Sequence, residues 1–262
     1  MDNRSRFCHL TVDSVTKPAY VWHEKNWKFT DEVHAHKMGQ LIFVEKGLQY
    51  LHTENTQYLL PTFHCAWIPP GMVHKTTSPL EEVFLRCIFF EHVPDHPFFK
   101  SINVFNTPAV LREMILFTEQ WSRLDEFDET EAAFVNALIQ ILPSTFHNSL
   151  PLVLPVPKNP RLAGIVDFMV ENLLEGITVP RIAKQFNVSS RTIERLFKDD
   201  IGLTVAGYVK LLKMIKSVEL LSAQGAGVKQ VAMQVGYNSI STFSNTFFQV
   251  LGIRPQDMML KA

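Results

Sequence analysis

The sequence is short of the residues that stabilise secreted or membrane-embedded chains. Cysteine occurs three times in 262 residues, as Cys8, Cys65 and Cys87. An odd number with no paired spacing leaves no framework of disulfides, so the three are expected to be buried thiols of a cytoplasmic protein. Long apolar runs are missing too. The most apolar stretch, Val83 to Val93, is short and broken by Arg86, which excludes a membrane helix there. Met1 to Lys17 lacks the basic start and apolar run of a secretion signal, and no export is expected. A strong overall charge is also lacking, since 25 Lys and Arg face 26 Asp and Glu.

That balance hides a division. Residues 158–262 hold 13 Lys and Arg against 8 Asp and Glu, a net +5, and residues 1–157 hold 12 against 18, a net −6. An anionic partner is therefore expected for the C-terminal part only. The length has room for about two domains, and a hydrophobic content of 46% can fill their cores. From Val21 to Phe90 short apolar runs such as Leu41 to Val44, Ala66 to Ile68 and Val83 to Leu85 alternate with Gly47, Pro61, Pro69 to Gly71 and Pro79, a pattern of short antiparallel strands forming a barrel or sandwich. After Pro108 the spacing becomes helical. Leu111, Ile115 and Phe117, then Phe134, Leu138, Ile141 and Leu142, predict two helices that follow the barrel. Pro143, Pro151, Pro155, Pro157 and Pro160 then crowd a stretch without period, which reads as a linker.

Beyond Pro160 the sequence is helical and repeats itself. Ile182-Ala183 recurs as Val231-Ala232 and Asn187 as Gly236, at an offset of 49 residues; Ile193 recurs as Phe243, Phe197 as Phe247 and Gly202 as Gly252, at an offset of 50. Ordered pairs with one consistent slip argue for a duplicated unit, with one residue inserted between turn and second helix. Each copy has helix-turn-helix anatomy. Asn187 or Gly236 suits a left-handed turn, Ser189 or Ser239 suits a helix N-cap, and the small Ala183 or Ala232 sits where two helices approach closely.

Over Pro160 to Met258 the sequence resembles the AraC/XylS-type transcription regulators. The resemblance is carried by Arg161-Leu162-Ala163, by Val179 to Phe186, by Val188 to Lys198, and by Gly202 and Tyr208. It continues through Val231-Ala232, Val235 to Ser239, Phe243-Ser244, Phe247 and Gly252 to Pro255. It implies two helix-turn-helix units joined by a long helix, here about Val205 to Ala223. At ~1.5 Å per residue that helix is a rod of about 28 Å, close to the ~34 Å repeat of one DNA turn.

In the first reading helix Ile193, Leu196 and Phe197 form an inward stripe. Ser190, Arg191, Thr192, Glu194, Arg195 and Lys198 are left as candidate contacts to double-stranded DNA, with Arg191 and Arg195 able to bind guanine through paired hydrogen bonds. The competing reading is a solvated charged face with Glu194 paired to Lys198. In the second reading helix the candidates are Ile240, Ser241, Ser244 and Asn245, with Gln249 beyond them. The family commonly places basic residues where this chain has Asn245 and Phe248, so this helix is expected to grip DNA more weakly.

In the N-terminal part, His34-x-His36-x3-Gln40-x6-Gly47 and Pro69-x-Gly71-x2-His74 resemble the two cupin motifs over roughly Val33 to Lys75. Two histidines one residue apart on a strand share a face, and a third from a neighbouring strand completes a facial set. His34, His36, Gln40 and His74 are thus candidate ligands for a divalent transition metal. Gln40 stands where metal-binding cupins often have glutamate, and the alternative is a set of histidines hydrogen-bonded inside a barrel mouth. Phe43, Tyr50, His52 and Trp67 read as barrel core, some of them turned toward a cavity.

The expected fold is α+β: a cupin-like β-barrel with trailing helices, then an all-α domain with two helix-turn-helix units. The expected boundaries are 1–105 for the effector-sensing domain, 106–145 for a helical dimerisation segment, 146–159 for the linker and 160–262 for the DNA-binding domain. The leading reading is a regulator, not an enzyme, whose barrel senses a small molecule or metal. It is expected to act as a homodimer on double-stranded DNA, with RNA polymerase as a further partner implied by the resemblance. A cupin-type metalloenzyme with a DNA-binding appendage, and a constitutive DNA-binding protein, are the alternatives.

Overall fold

The computed structural model describes residues 11–30, 32–54, 56–146, 153–222 and 226–259. Contacts divide the chain into two units, Met1–Pro151 apart from Asn55–Gln57, and Leu152–Ala262. In the first unit lie β1 (Ala19–Glu24), β2 (Gly39–Lys46), β3 (Leu48–His52), β4 (Thr56–Pro61), β5 (His64–Ile68), β6 (Lys75–Thr77), β7 (Phe84–Phe90) and β8 (Asn103–Asn106). One sheet has the order β1-β7-β2-β5-β8, and in the other β3 lies between β6 and β4. Gly47, at φ +99°, turns the chain from β2 in the first sheet to β3 in the second, and a side chain there would clash, because a Cβ would stand 2.9 Å from the Glu82 carbonyl oxygen.

The first sheet is buried on both faces, which is why its strands read as continuous apolar runs. Ile42, Val44, Ala66, Ile68, Leu85, Cys87 and Phe89 pack between the two sheets with Leu51 and Leu60 of the second. Their alternates Leu41, Phe43, Cys65, Trp67, Ile88 and Phe90 face the other way, against Leu111 and Ile115 of α1 (Ala109–Phe117) and Val135, Leu138 and Leu142 of α2 (Glu129–Thr145). Phe43 and Trp67 are therefore core beneath the helices, outside the barrel interior. Asp128 caps α2, its carboxylate accepting from Thr130 N at 2.7 Å and Glu131 N at 3.0 Å. Pro143 lies inside the last turn of α2, where the proline spacing predicted linker; it has no N–H to donate back along the helix, which ends two residues later at Thr145. Cys65 and Cys87 are buried thiols outside any disulfide among the described residues, and burial pushes the Cys65 thiol up to about 12; Cys8 lies outside the described residues.

Two buried polar joints tie this helical layer to the sheet. Lys17 Nζ reaches Glu131 Oε2 at 2.5 Å and donates to the Leu124 carbonyl at 2.8 Å. Burial holds the Glu131 carboxyl above the usual carboxylate range, against the pull of Lys17. At the second joint the Thr118 hydroxyl donates to the Ile115 carbonyl at 2.7 Å and so accepts from His23 Nε2 at 3.1 Å. His23 Nδ1 is then the acceptor for Arg86 Nη1 at 3.1 Å, while Arg86 also pairs with Glu45 and Glu119. Burial first, and the Arg86 charge second, lower the His23 pKa to about 3. Its approach to Glu119 at 3.8 Å is thus a contact of a neutral ring, and Arg86 carries the charge of the joint.

The second unit contains β9 (Val153–Pro155), α3 (Pro160–Glu171), α4 (Val179–Gln185), α5 (Ser190–Leu196), α6 (Val205–Ser222), α7 (Val228–Gln234), α8 (Ile240–Leu251) and α9 (Pro255–Met259). Within the stretch expected as linker, Val153–Pro155 is a strand: Leu154 packs on the core of this unit, and a proline ending a three-residue strand removes no donor from its interior. Pro160 opens α3 under an Asn159 cap, where its missing N–H is no loss. Leu162, Ile165, Met169, Ile182, Ile193, Phe197, Tyr208 and Leu212 form the core around the first helix pair. The joining helix α6 closely matches the expected span.

Candidate DNA-reading helices and barrel interior

The repeat seen in the sequence is a repeat of hydrogen bonds. Asn187 takes φ +51° after α4, and Val188 N donates to the Ala183 carbonyl at 3.0 Å. At the same offset of 49, Gly236 takes φ +79° after α7, and Tyr237 N donates to the Ala232 carbonyl at 2.8 Å. After the one-residue slip, Ser189 Oγ accepts from Thr192 N at 3.1 Å and Ser239 Oγ from Thr242 N at 3.3 Å. Ala183 and Ala232 are buried between their helices. Turn and cap both formed as their residue types dictated.

Each second helix turns one stripe inward. Ile193 and Phe197 of the first copy, and Phe243, Phe247 and Leu251 of the second, are buried. Ser190, Arg191, Glu194, Arg195 and Lys198 are exposed and Thr192 is half-buried, while Ile240, Ser241 and Asn245 are exposed and Ser244 is half-buried. Past Leu196 the helix widens into a π turn, Phe197–Ile201, that stops at left-handed Gly202. The cations of α5 differ from Arg181 of α4. Arg181 is spent on Glu175, on Asn172 and on the Gly176 carbonyl, whereas Arg191, Arg195 and Lys198 have no ion pair among the described residues, and the Glu194 to Lys198 pair of the competing reading is not among them. Three unneutralised cations on one exposed face are available to phosphates or base edges.

In the first unit the structure brings the histidines together. His34 and His74 form an isolated antiparallel bridge, His34 N to His74 O at 2.9 Å and His74 N to His34 O at 2.8 Å, and their rings lie 4.4 Å apart. The His36 ring is 5.2 Å from His74 and 6.3 Å from His34. His36 Nδ1 is 2.6 Å from the Met38 carbonyl oxygen and donates to it, so in the neutral ring Nε2 is an acceptor. That Nε2 faces the Gln40 amide at 2.9 Å, and the other end of the amide faces Cys87 Sγ at 3.6 Å. All three groups are satisfied when the amide turns its NH2 to His36 and its oxygen to the thiol. Two of the four candidate ligands thus spend their donor atoms on each other. Among the described residues no three His, Cys, Asp or Glu side chains are arranged to hold a metal ion.

Alternation also locates what faces the barrel interior. Tyr50 and His52 lie on the face of β3 opposite Leu51, paired with Thr77 and Lys75 of β6, so they do not line it. Gln49 shares the Leu51 face, is 1% exposed, and has an amide oxygen with no hydrogen-bond partner. The sequence reading missed Gln49 because a polar residue in a short strand reads as a solvent position.

Comparison with known proteins agrees with this division. Residues 182–260 match the model of a helix-turn-helix domain and residues 19–152 that of the AraC-like ligand binding domain. The chain is 26% identical over 239 residues to the HTH-type transcriptional regulator NimR of Escherichia coli (strain K12), covering 90% of this chain and 85% of that protein. It is 33% identical over 112 residues to the HTH-type transcriptional regulator GbdR of Pseudomonas aeruginosa, 42% of this chain and 30% of that one. A solved structure of a transcriptional regulator from Chromobacterium violaceum, described with AraC-type DNA-binding domain-containing proteins, is 29% identical over 38% of this chain and 89% of its own, at a TM-score of 0.37.

Proposed function

This chain belongs to the AraC family of transcription regulators, with a ligand-binding domain followed by a helix-turn-helix DNA-binding domain, and from that premise we propose that α5 and α8 are its two DNA-reading helices. The observation that carries this is the shared geometry: each helix is capped by a serine, buries one aromatic or aliphatic stripe and exposes the opposite face. Ser190, Arg191, Thr192, Glu194, Arg195 and Lys198 contact one major groove, and Ile240, Ser241, Ser244 and Asn245 the other. Affinity comes mainly from α5, whose cations are unpaired. Arg195→Ala costs about 1–3 kcal/mol of base discrimination, and Ser244→Ala less. Gel-shift titrations at one fixed salt on a site selected from randomised duplexes measure both; the reverse order defeats the assignment.

The barrel interior binds a small-molecule effector through the face between the sheets. That face carries apolar and aromatic side chains, Gln40, the Cys87 thiol and Gln49, whose buried amide oxygen calls for a donor. The effector is accordingly uncharged, with at least one N–H or O–H. Gln49→Leu abolishes the melting-temperature rise that such an effector gives; a wild-type rise with anionic ligands alone overturns this class. The histidines serve as a hydrogen-bonded cluster, supported by the His36 to Gln40 contact. Elemental analysis after dialysis against zinc or nickel finds no retained metal, and stoichiometric uptake lost in His36→Ala restores the metal reading.

The effector acts without turnover by favouring one arrangement of a homodimer, and it can shift that balance only by its differential affinity for the two states. Pairing through the helical layer is supported by exposed Val110 and Phe117 of α1 and by exposed Leu124 and Phe127 of the following loop. A cytoplasmic location next to RNA polymerase follows from this role. No helix among the described residues is long and apolar enough to cross a membrane.

A further inference from the structure

We propose that Arg254 is the DNA-phosphate contact of the second helix-turn-helix, a cation supplied from outside the reading helix itself. The inference rests on the reading that α8 enters a groove. Along α8 the outward face runs through Ser241, Asn245 and Phe248, at helical spacing, and carries no cation. Leu251 ends the helix, Gly252 at φ +71° turns the chain, and Arg254 folds back over that same face. Its guanidinium lies 4.4 Å from the centre of the Phe248 ring. Nη1 donates to Asn245 Oδ1 at 3.1 Å and to the Ser244 carbonyl at 3.4 Å.

These partners hold the side chain without neutralising it. An aromatic face and two uncharged oxygens fix the plane of the fork, and no carboxylate pairs with it among the described residues; Asp257 instead accepts from the Arg254 backbone N–H at 3.1 Å. An exposed guanidinium with donors to spare, fixed beside the outward face of a reading helix, is suited to a phosphate oxygen on the groove wall. This also accounts for Phe248, a large aromatic side chain 45% exposed on a DNA-facing helix: it is the platform on which the arginine lies.

The test is a salt series of anisotropy titrations with the full-length protein on its selected duplex and on a mismatched one. Arg254→Gln removes the charge and leaves a shorter, uncharged amide. It weakens binding about fivefold near physiological salt, equally on both duplexes, and lowers the salt slope by about one. Arg254→Lys keeps the slope. An unchanged slope in Arg254→Gln, or a loss confined to one base pair, overturns the proposal, and an equal melting temperature of all three proteins shows that the fold is intact. Ser241→Glu is the control for the underlying reading, because a carboxylate on α8 abolishes specific binding if that helix enters the groove. If Ser241→Glu binds like wild type, the reading of α8 fails; if it does not bind while Arg254→Gln keeps its slope, the arginine proposal alone fails.

Discussion

At the scale of single residues, chemistry here depends on which partner a polar group has found. Arg181 and Arg195 look alike in sequence, yet one is consumed by Glu175 and Asn172 and the other has no ion pair among the described residues. His23 is the sharper case. Its ring is held neutral between Thr118 and Arg86, with a pKa lowered from 6.5 to about 3. Between those values the unfolded chain binds a proton that the folded chain refuses, so stability falls as pH falls below 6.5 and the loss is complete near 3. The contribution is about 1.4 kcal/mol per pH unit, or about 2 kcal/mol by pH ~5. Denaturant midpoints of wild type and His23→Gln, compared at about pH 7 and about pH 5, are expected to converge as pH drops. Parallel pH dependence of the two proteins removes His23 from the account.

At the scale of elements, the two helix-turn-helix units are built from the same turn and cap with different residues, which makes their energetics separable. Asn187 and Gly236 both stand at positive φ, where a β-branched side chain costs about 1–2 kcal/mol. Asn187→Val therefore destabilises by that amount and Asn187→Gly by little. At Gly236 a Cβ would meet only the Lys213 ammonium, at 3.1 Å, and that flexible end can move aside. Gly236→Ala is thus limited to the backbone cost of about 1 kcal/mol. Ser189→Ala and Ser239→Ala each lose about 1 kcal/mol of capping. Urea titration of the full-length variants checks all of these, and a Gly236→Ala cost well above that of Asn187→Val contradicts the steric argument.

At the scale of the whole molecule, the chain has separate cores. Among the described residues one lies between the sheets and one between sheet and helices in the first unit, and another, in the second unit, surrounds the α3 to α6 helices. Units with their own cores unfold as units. Scanning calorimetry is expected to show two transitions, with an uncharged effector raising only the one that belongs to the barrel and a DNA duplex only the other. A single transition raised by both ligands means that the units fold cooperatively, and the effector then acts through stability as well as through arrangement.

The sequence by itself determined the order of the parts, the double helix-turn-helix and the residues of its turns and caps, because these depend on local conformational preference: positive φ at Asn187 and Gly236, a short acceptor at Ser189 and Ser239, and a 3.6-residue period that buries Ile193, Phe197, Phe243 and Phe247. It also placed the barrel histidines within reach of one another. Strand β8, whose Asn103-Val104-Phe105-Asn106 is too short and polar to show a period, and β9 inside a proline-rich stretch became strands only through pairing and packing. Tertiary structure alone decided which face of each strand meets the helices, so that Phe43 and Trp67 leave the barrel interior while Gln49 enters its lining. It also decided that His36 spends its nitrogen on Gln40, and that Arg254 returns across a turn to lie on Phe248. These are choices of partner that no periodicity encodes; they follow from which side chains the closed fold brings within 2.9 Å to 4.4 Å of each other.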